Sequence, residues 1–292
     1  VAMTIWKGQS TVASESEAAD SQPAARSTND SGGTSEWSRI GDETDDYFRR
    51  VARVGIQIAE ALEFAHEHGL LHRDIKPSNI LVYNNGERAV SKVIDFGIAK
   101  AMHLSLTDKT MFTEYGQIIG TLEYMSPEQA MMSQDEADVR SDVYSLGVLL
   151  YVLLTGTPPL SKDELLEKGI WELKNRMDRL RAPTPSIRFT GQRQARTWRD
   201  RTDSSKKDWL NHIRGDLDWI AMKALEKDRT RRYSSAAALS DDIQRHLEDL
   251  PVEAGAPSLS YQLGKFIKRN RRALELAAIS LAIVVLAAGI TM

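Results

Sequence analysis

Two short motifs constrain this chain more than any other feature of its sequence. Residues 71–81 read Leu-His-Arg-Asp-Ile-Lys-Pro-Ser-Asn-Ile-Leu, and the triplet Asp95-Phe96-Gly97 follows further along the chain. The two motifs contain two carboxylates, Asp74 and Asp95, and one amide, Asn79. These groups supply the hard oxygen ligands that Mg²⁺ prefers, so a fold that gathers them can form a metal site.

The residues between the motifs predict a β-hairpin. Apolar runs at 80–83 and 93–94 flank the segment 84–86, which reads Asn-Asn-Gly. An Asn-Gly pair between two apolar runs is the strongest short-range signal for a hairpin. A hairpin here brings the two motifs together.

All eleven residues of 71–81 fit one known motif, and the triplet at 95–97 follows at the distance that a hairpin would give. Agreement of this extent is not expected by chance. The chain resembles the C-terminal lobe of a serine/threonine protein kinase of the bacterial, membrane-anchored kind. The resemblance implies a mainly α fold, α+β overall, with one small β-hairpin. It also implies ATP-dependent phosphorylation of Ser or Thr residues in protein substrates.

The resemblance assigns roles to the motif residues. Asp74 is expected to accept or orient the proton of the attacking hydroxyl, and Lys76 to place a positive charge near the transferred group. Asn79 and Asp95 are expected to hold Mg²⁺, although Mn²⁺ would satisfy the same oxygens. The residues expected to contact ATP and its metal are Lys76, Ser78, Asn79 and Asp95.

The resemblance also implies contacts with the activation segment that follows Asp95. His72 is expected to pack against the Asp-Phe-Gly turn, and Arg73 is available to pair with a phosphorylated segment. Thr121 is expected to hydrogen-bond Asp74 and Lys76. The segment ends at Ser-Pro-Glu, residues 126–128, and its candidate regulatory hydroxyls are those of Thr107, Thr110 and Thr113.

Helical periodicity predicts the core around the motifs. Apolar residues recur at i, i+3 and i+4 from about Asp46 to His68, with Gly69 as the C-cap. A second buried helix follows Asp142 and ends at Gly156. By position, Asp142 is an N-cap, and the resemblance adds a role in anchoring the catalytic loop.

The rest of the predicted lobe is helical with one irregular insertion. Residues 161–181 are predicted to form a charged amphipathic helix, 182–208 an irregular Arg-rich insertion, and 235–247 the last helix. By resemblance, Arg232 pairs with Glu128. Lys and Arg outnumber Asp and Glu near the insertion, but no aromatic residues alternate with them. A solvated surface is therefore favoured, and no nucleic-acid partner is expected.

Composition narrows the function classes without identifying one. A chain of 292 residues with 41% hydrophobic residues can bury a core, and its formal charge of −3 points to no polyanionic partner. The sequence contains no cysteine, which excludes disulfides and thiolate metal sites.

Residues 1–45 are predicted to be a disordered linker or insertion, because they lack apolar periodicity. The kinase lobe then covers 46–250. The sequence has no glycine-rich loop, no strand lysine of the Val-Ala-Ile-Lys type and no partner glutamate, so we expect the N-terminal lobe to be missing from this chain.

The C-terminus is predicted to be a membrane anchor. Residues 251–273 form a basic juxtamembrane segment, and 274–292 are predicted to form a single transmembrane helix, uncharged from Leu276 onward. The Lys/Arg flank favours a cytoplasmic kinase lobe. A buried core helix is the alternative reading of this stretch.

Two rival hypotheses remain at the level of sequence. The chain could be a non-catalytic kinase-like binding or scaffold module, or a fragment of a longer kinase. In either case we expect little activity from these 292 residues alone.

Overall fold

A computed structural model describes residues 35–84, 89–96, 122–130, 137–169, 172–191, 203–256 and 258–290. Over these residues the fold is mostly helical with one small two-stranded sheet, which confirms the predicted architecture. The helices are α1 (Ser35–Glu67), α2 (Pro127–Ala130), α3 (Val139–Thr155), α4 (Lys162–Leu166), α5 (Leu173–Arg179), α6 (Pro185–Gly191), α7 (Asp203–Ile213), α8 (Asp216–Ala224), α9 (Ala236–Leu247), α10 (Leu259–Arg269) and α11 (Arg271–Ile290). The strands are β1 (Ile80–Asn84) and β2 (Ala89–Val93), and short 3₁₀ turns lie at Pro77–Asn79, Leu122–Tyr124 and Arg229–Arg231.

Helix α1 leads into the catalytic loop and buries an apolar stripe against the core. Val51, Ile58 and Leu62 are at most 2% exposed, and burying side chains of this size stabilises the fold by roughly 1.5–3 kcal/mol each. The helix starts at Ser35 rather than near Asp46. Residues 35–45 carry no apolar stripe, so periodicity, which detects buried faces, could not predict these turns.

Helix α3 forms the centre of the lobe. All of its residues from Ser141 to Thr155 are buried, and Gly156 ends it in a left-handed conformation with φ of 81°, as predicted. A Cβ added to Gly147 would lie 2.6 Å from the Cβ of Ala224. Glycine at this position therefore allows α3 and α8 to pack closely.

The prediction that Asp142 is the N-cap of α3 is wrong. The helix begins earlier, at Val139, and the cap is Asp138, whose side chain accepts a hydrogen bond from the backbone N–H of Arg140 at 2.8 Å. Position in the sequence could not distinguish the two carboxylates. Asp142 lies in the first turn and its carboxylate points to the catalytic loop.

The two strands of the predicted hairpin pair with each other and are attached to α1, and the turn residues 85–88 lie outside the described part of the chain. Strands β1 and β2 are antiparallel, with Ile80 opposite Val93 and Tyr83 opposite Val90. The side-chain amide of Gln57 donates to the carbonyl of Ala89 at 3.1 Å and accepts from the N–H of Ser91 at 2.6 Å. Helix α1 thus holds strand β2, and this contact sets the position of the residues that follow β2.

The region 161–208 differs from its prediction. Instead of one amphipathic helix over 161–181, two short helices, α4 and α5, form there, and the expected irregular insertion contains α6 and the start of α7. Trp209 is buried and packs against the ring of Tyr47 in a tilted arrangement and against the ring of Phe48 edge-to-face, with centroid distances of 4.9 and 4.7 Å. Because the segment is rich in Arg and Lys, its few buried apolar residues could not be recognised from the sequence. Residues 192–202 lie outside the described part of the chain.

The predicted membrane anchor has no support from the fold. Among the residues whose side chains are described, which end at Ile283 in α11, no helix is long and apolar enough to cross a bilayer. The side chains of 284–292 lie outside the described residues, so the spanning helix over 274–292 stays a prediction.

Candidate active site

The catalytic loop is held by one buried carboxylate. Asp142 accepts hydrogen bonds from the backbone N–H groups of His72 at 2.8 Å and Arg73 at 2.7 Å, and from Nε2 of His66 at 2.8 Å. Arg73 has a φ of 63°, in the left-handed region that non-glycine residues rarely adopt. Asp142 therefore holds a backbone turn that would otherwise be unfavourable, and the anchoring role expected for it is confirmed.

His72 joins the two motifs. Its ring is fully buried, its Nε2 donates to the carbonyl of Ile94 at 3.0 Å, and its Nδ1 accepts from the N–H of Asp74 at 3.2 Å. These partners select the neutral tautomer with its hydrogen on Nε2. The ring also packs on Phe96, with centroids 4.7 Å apart. The expected contact between His72 and the Asp-Phe-Gly turn is confirmed, although Gly97 lies outside the described residues.

Three of the predicted site residues form one cluster. Nζ of Lys76 lies 2.9 Å from Oδ2 of Asp74. The side-chain amide of Asn79 donates to the carbonyl of Asp74 at 2.8 Å and to its Oδ2 at 3.3 Å. The Asp74 carboxylate is thus oriented through its Oδ2 by both a cation and an amide. Such an arrangement can accept a proton from a hydroxyl brought to it.

The candidate metal ligands, Asn79 and Asp95, carry side-chain oxygens of the kind that bind Mg²⁺. Because the NH₂ group of Asn79 is used by Asp74, its Oδ1 faces away as an acceptor, and it accepts a 3.2 Å hydrogen bond from the hydroxyl of Ser78. Asp95 is exposed and has a φ of 58°, so its carboxylate stands at the surface after β2. In the described part of the chain no group of three or more His, Cys, Asp or Glu residues could hold a metal ion. Two oxygen ligands suit a cation that also binds phosphates and water.

The end of the activation segment docks on the same loop. The side-chain amide of Gln129 donates to the carbonyl of Arg73 at 3.0 Å, and Ser126 donates to Oε1 of Gln129 through both its N–H and its hydroxyl at 3.0 Å. Helix α2 is therefore connected directly to the catalytic turn. Thr121 and the candidate regulatory residues Thr107, Thr110 and Thr113 lie outside the described residues.

The predicted pair of Glu128 and Arg232 is confirmed and fully enclosed. The two guanidinium NH₂ groups reach the two carboxylate oxygens at 2.6 and 2.9 Å, and the hydroxyl of Ser141 adds a bond of 2.7 Å. Burial by itself would raise the pKa of Glu128, but the hydrogen bonds and charge of Arg232 hold it below its ordinary value. The fork geometry of arginine suits this two-point contact.

Sequence reasoning missed two residues that position the loop, His66 and Gln129. His66 follows Ile58 and Leu62 at intervals of four residues, on the stripe that α1 buries. A polar residue on such a stripe is a detectable signal for a buried hydrogen bond. Gln129 carries no comparable signal, because its partner is a backbone carbonyl distant in the sequence.

Replacing Asp142 by Asn is expected to destabilise the lobe by about 1–3 kcal/mol, because the new NH₂ group would face a backbone N–H and leave it without an acceptor. The matched control is Asp138→Asn in the same region of α3. We expect that control to be neutral, since Asn caps helices as well as Asp does. Urea denaturation of both variants checks the prediction, and equal stabilities would contradict it.

Comparison with protein families gives one match to most of the lobe. The family model described as "Protein kinase domain" matches residues 38–243. This range contains both motifs, the hairpin, and the pair formed by Glu128 and Arg232.

The curated relatives with similar sequences are bacterial kinases. The chain is 38% identical over 195 residues to the serine/threonine-protein kinase PknB of Mycobacterium leprae, covering 67% of this chain and 26% of that protein. It is 36% identical over 206 residues to PknB of Mycobacterium tuberculosis strain H37Rv, covering 70% and 28%. A probable serine/threonine-protein kinase of Streptomyces coelicolor, SCO3848, is 37% identical over 207 residues, covering 71% and 26%. The chain thus spans about a quarter of the length of these relatives.

Among solved structures, the kinase domain of Mycobacterium tuberculosis PknI matches with a TM-score of 0.41 and 20% sequence identity. The match covers 70% of this chain and 61% of that one.

Proposed function

We propose, from the premise that this chain belongs to the protein kinase family, that it transfers the γ-phosphoryl group of ATP to Ser or Thr hydroxyls of proteins. The observation that carries the proposal is the cluster of Asp74, Lys76 and Asn79 on a loop held by Asp142. In a protein kinase, positioning and charge neutralisation do most of the catalytic work.

The proposed mechanism uses one role for each side chain of the cluster. Asp74 orients the substrate hydroxyl and takes its proton as the oxygen forms its bond to phosphorus and the bond to ADP breaks. Lys76, which lies 2.9 Å from Asp74, places its charge beside the phosphoryl oxygens. Asn79 and Asp95 would hold Mg²⁺, which neutralises charge on the phosphates.

The orientation of Asp74 is the feature most specific to this mechanism. Lys76 and Asn79 both contact its Oδ2, and these two contacts fix the direction in which the carboxylate faces. The backbone of the loop cannot shift easily, because Asp142 and Gln129 hold it from two sides. A fixed base of this kind holds the reacting atoms in line.

We further propose that the chain needs a nucleotide-binding lobe to act at a useful rate. The sequence of 292 residues contains neither a glycine-rich loop motif nor a Val-Ala-Ile-Lys motif, which mark the kinase parts that cover and hold the phosphates. Without those contacts the γ-phosphoryl group is not held in line with the hydroxyl. A misplacement of roughly 1 Å can cost on the order of 10²-fold in rate.

Membrane anchoring with a cytoplasmic lobe is also a proposal. It is motivated by the uncharged sequence from Leu276 onward and by its Lys/Arg flank at 265–272. The large apolar side chains of α11 whose exposure is described are open to solvent, namely Leu274, Leu276, Ile279, Leu281 and Ile283. Flotation of the chain with lipid vesicles after a high-salt wash tests the anchor, and recovery in the soluble fraction would contradict it.

The kinase proposal is tested by assaying two proteins with radiolabelled ATP and a generic protein substrate. The first is the chain as it stands, and the second is the same chain preceded by the nucleotide-binding lobe of a protein kinase. We expect little transfer by the first and at least on the order of 10²-fold more by the second, with phosphate on Ser and Thr.

Two outcomes of this assay would overturn parts of the proposal. Equal, robust turnover by the chain alone would contradict the need for a second lobe. Binding of ATP and Mg²⁺ by the completed protein without any transfer would instead favour the rival hypothesis of a non-catalytic scaffold.

A further inference from the structure

Helix α10 is docked on the lobe by one polar face. The hydroxyl of Tyr261 donates to Asp216 at 2.8 Å and accepts from the N–H of Val252 at 3.0 Å. Nζ of Lys265 also binds the Asp216 carboxylate, and Nζ of Lys268 lies 2.7 Å from Asp249. These contacts attach α10 to the start of α8 and to the segment after α9.

The acceptor of these contacts is a buried carboxylate. Asp216 is 8% exposed and also accepts from Nδ1 of His246 at 2.9 Å. Burial by itself would raise its pKa, but the hydrogen bonds from His246, Lys265 and Tyr261 lower the pKa of Asp216 to about 2. It stays ionised at neutral pH, so the docked face is held by charge.

The opposite face of α10 is apolar and exposed. At 3.6 residues per turn, the side chains of Leu259, Leu263, Phe266 and Ile267 lie on the side away from Tyr261 and Lys265. Their exposed fractions are 85%, 58%, 49% and 48%. A helix that already has a docked polar face and still shows four large apolar residues to solvent needs another surface to cover them.

The charges around this face fit an anionic lipid surface. Arg269, Arg271 and Arg272 cluster at the C-terminal end of α10 and the start of α11. All three are exposed. Helix α11 continues from this cluster with an exposed, largely apolar surface. An apolar stripe bordered by Lys and Arg is typical of helices that lie in the membrane interface.

From these observations we propose that α10 lies along the surface of an anionic bilayer, with Leu259, Leu263, Phe266 and Ile267 inserted among the lipids. This inference rests on the membrane anchor of the proposed function and deepens it. Because the other face of α10 is fixed to Asp216, the bilayer would hold the catalytic lobe close to its surface in one orientation. The lobe would then favour substrates that lie near the membrane.

The absence of cysteine from the sequence makes the test direct, because one introduced cysteine can be labelled uniquely. The full chain carries Ile267→Cys, labelled with a polarity-sensitive fluorophore, and is reconstituted in vesicles of phosphatidylcholine and phosphatidylglycerol. We expect a blue shift of the emission and quenching by lipids brominated near the headgroup. The matched control is Ile187→Cys, since Ile187 is 60% exposed on the lobe itself. The fluorophore at position 187 should show the emission expected in water.

Charge substitutions at neighbouring positions separate the two sides of the helix. Leu263→Glu, in the chain labelled at position 267, should abolish the blue shift, whereas Gln262→Glu adds the same charge beside the apolar face and should largely preserve it. Arg269→Gln should lower the ratio of lipid-buried to water-exposed label by roughly fivefold, as expected for one basic residue at an anionic surface. Vesicles of phosphatidylcholine alone should give a weaker shift.

The outcomes distinguish this proposal from the anchor and from the kinase activity. Vesicle flotation with a water-like label at position 267 overturns the interfacial helix alone, and absence of flotation overturns the anchor as well. Energy transfer between labels on different chains, without quenching by brominated lipid, would show that a second copy covers this face and would also overturn the proposal. Kinase assays are not needed for any of these results.

Discussion

Replacing Asp74 by Asn is expected to lower phosphoryl transfer by roughly 10²- to 10⁴-fold in the chain completed with a nucleotide-binding lobe. In the proposed mechanism the carboxylate of Asp74 takes the hydroxyl proton, and an amide of nearly the same shape is not a base. An Asn oxygen can still accept from Lys76 and Asn79, which both reach Oδ2 of Asp74. Folding is therefore expected to stay intact.

The measurement is initial transfer rate at saturating ATP, together with thermal melting of both proteins. The control Asp163→Asn changes the same side chain at an exposed position of α4 and should leave the rate unchanged. A transfer rate for Asp74→Asn within a few-fold of the parent would show that another group takes the proton. Equal binding of ATP in the two proteins would confine the effect to the chemical step.

The motif residues could be placed from sequence because their contacts are local. Asp74, Lys76 and Asn79 lie within six residues, and the hairpin that follows has its own turn signal. The pattern 71–81 therefore predicted both the residues and their proximity. His72 was assigned correctly as well, since the resemblance placed it against the Asp-Phe-Gly turn.

Contacts between distant residues could be predicted only where the resemblance supplied them. Periodicity marked α3 as buried, but it could not show that Asp138 caps the helix while Asp142 turns inward to His72 and Arg73. The bond from Gln129 to the carbonyl of Arg73 joins a side chain to the backbone across 56 residues. No composition or spacing rule identifies such a pair.

The juxtamembrane segment shows the same limit in another form. The sequence predicted that residues 251–273 are a basic segment beside the membrane, and their charge is evident from composition alone. The fold adds that Tyr261 and Lys265 fix this segment to Asp216, which turns a flank into a docked helix. Which face of α10 stays exposed follows only from that contact.

The second large effect is expected for Arg232→Met, which should destabilise the lobe by about 3–5 kcal/mol. The Arg232 side chain is 0% exposed and binds both oxygens of Glu128, whose own side chain is 6% exposed. Its guanidinium also donates to the carbonyls of Arg140, Glu226 and Lys227. Among the described residues, removing it leaves the buried carboxylate with the hydroxyl of Ser141 as its one side-chain partner.

The neighbouring residue offers a matched control. Arg231 is the last residue of the 3₁₀ turn that precedes Arg232, and its side chain is 69% exposed and lies 4.0 Å from Glu226. Arg231→Met should therefore change stability by no more than about 0.5 kcal/mol. Urea denaturation of the two variants measures the difference, and similar midpoints would contradict the importance of the buried pair.

The pH dependence should reverse its sign between the parent and Arg232→Met. In the parent, the lowered pKa of Glu128 means that the pair stabilises the fold above the ordinary carboxyl pKa, and this contribution is lost as pH falls through the folded-state pKa. In the variant the burial effect is no longer opposed by the hydrogen bonds and charge of Arg232, and only the weaker hydrogen bond from Ser141 still opposes it, so the pKa of Glu128 should rise above its unfolded value. The deficit of the variant is then largest at neutral pH and shrinks as acid protonates Glu128.

Adding Glu128→Gln to Arg232→Met should recover part of the stability lost at neutral pH, because a neutral amide costs less to bury than an unpaired charge. A stability deficit that stays constant with pH and is unchanged by Glu128→Gln would show that Arg232 acts through packing and its carbonyl contacts rather than through the ion pair.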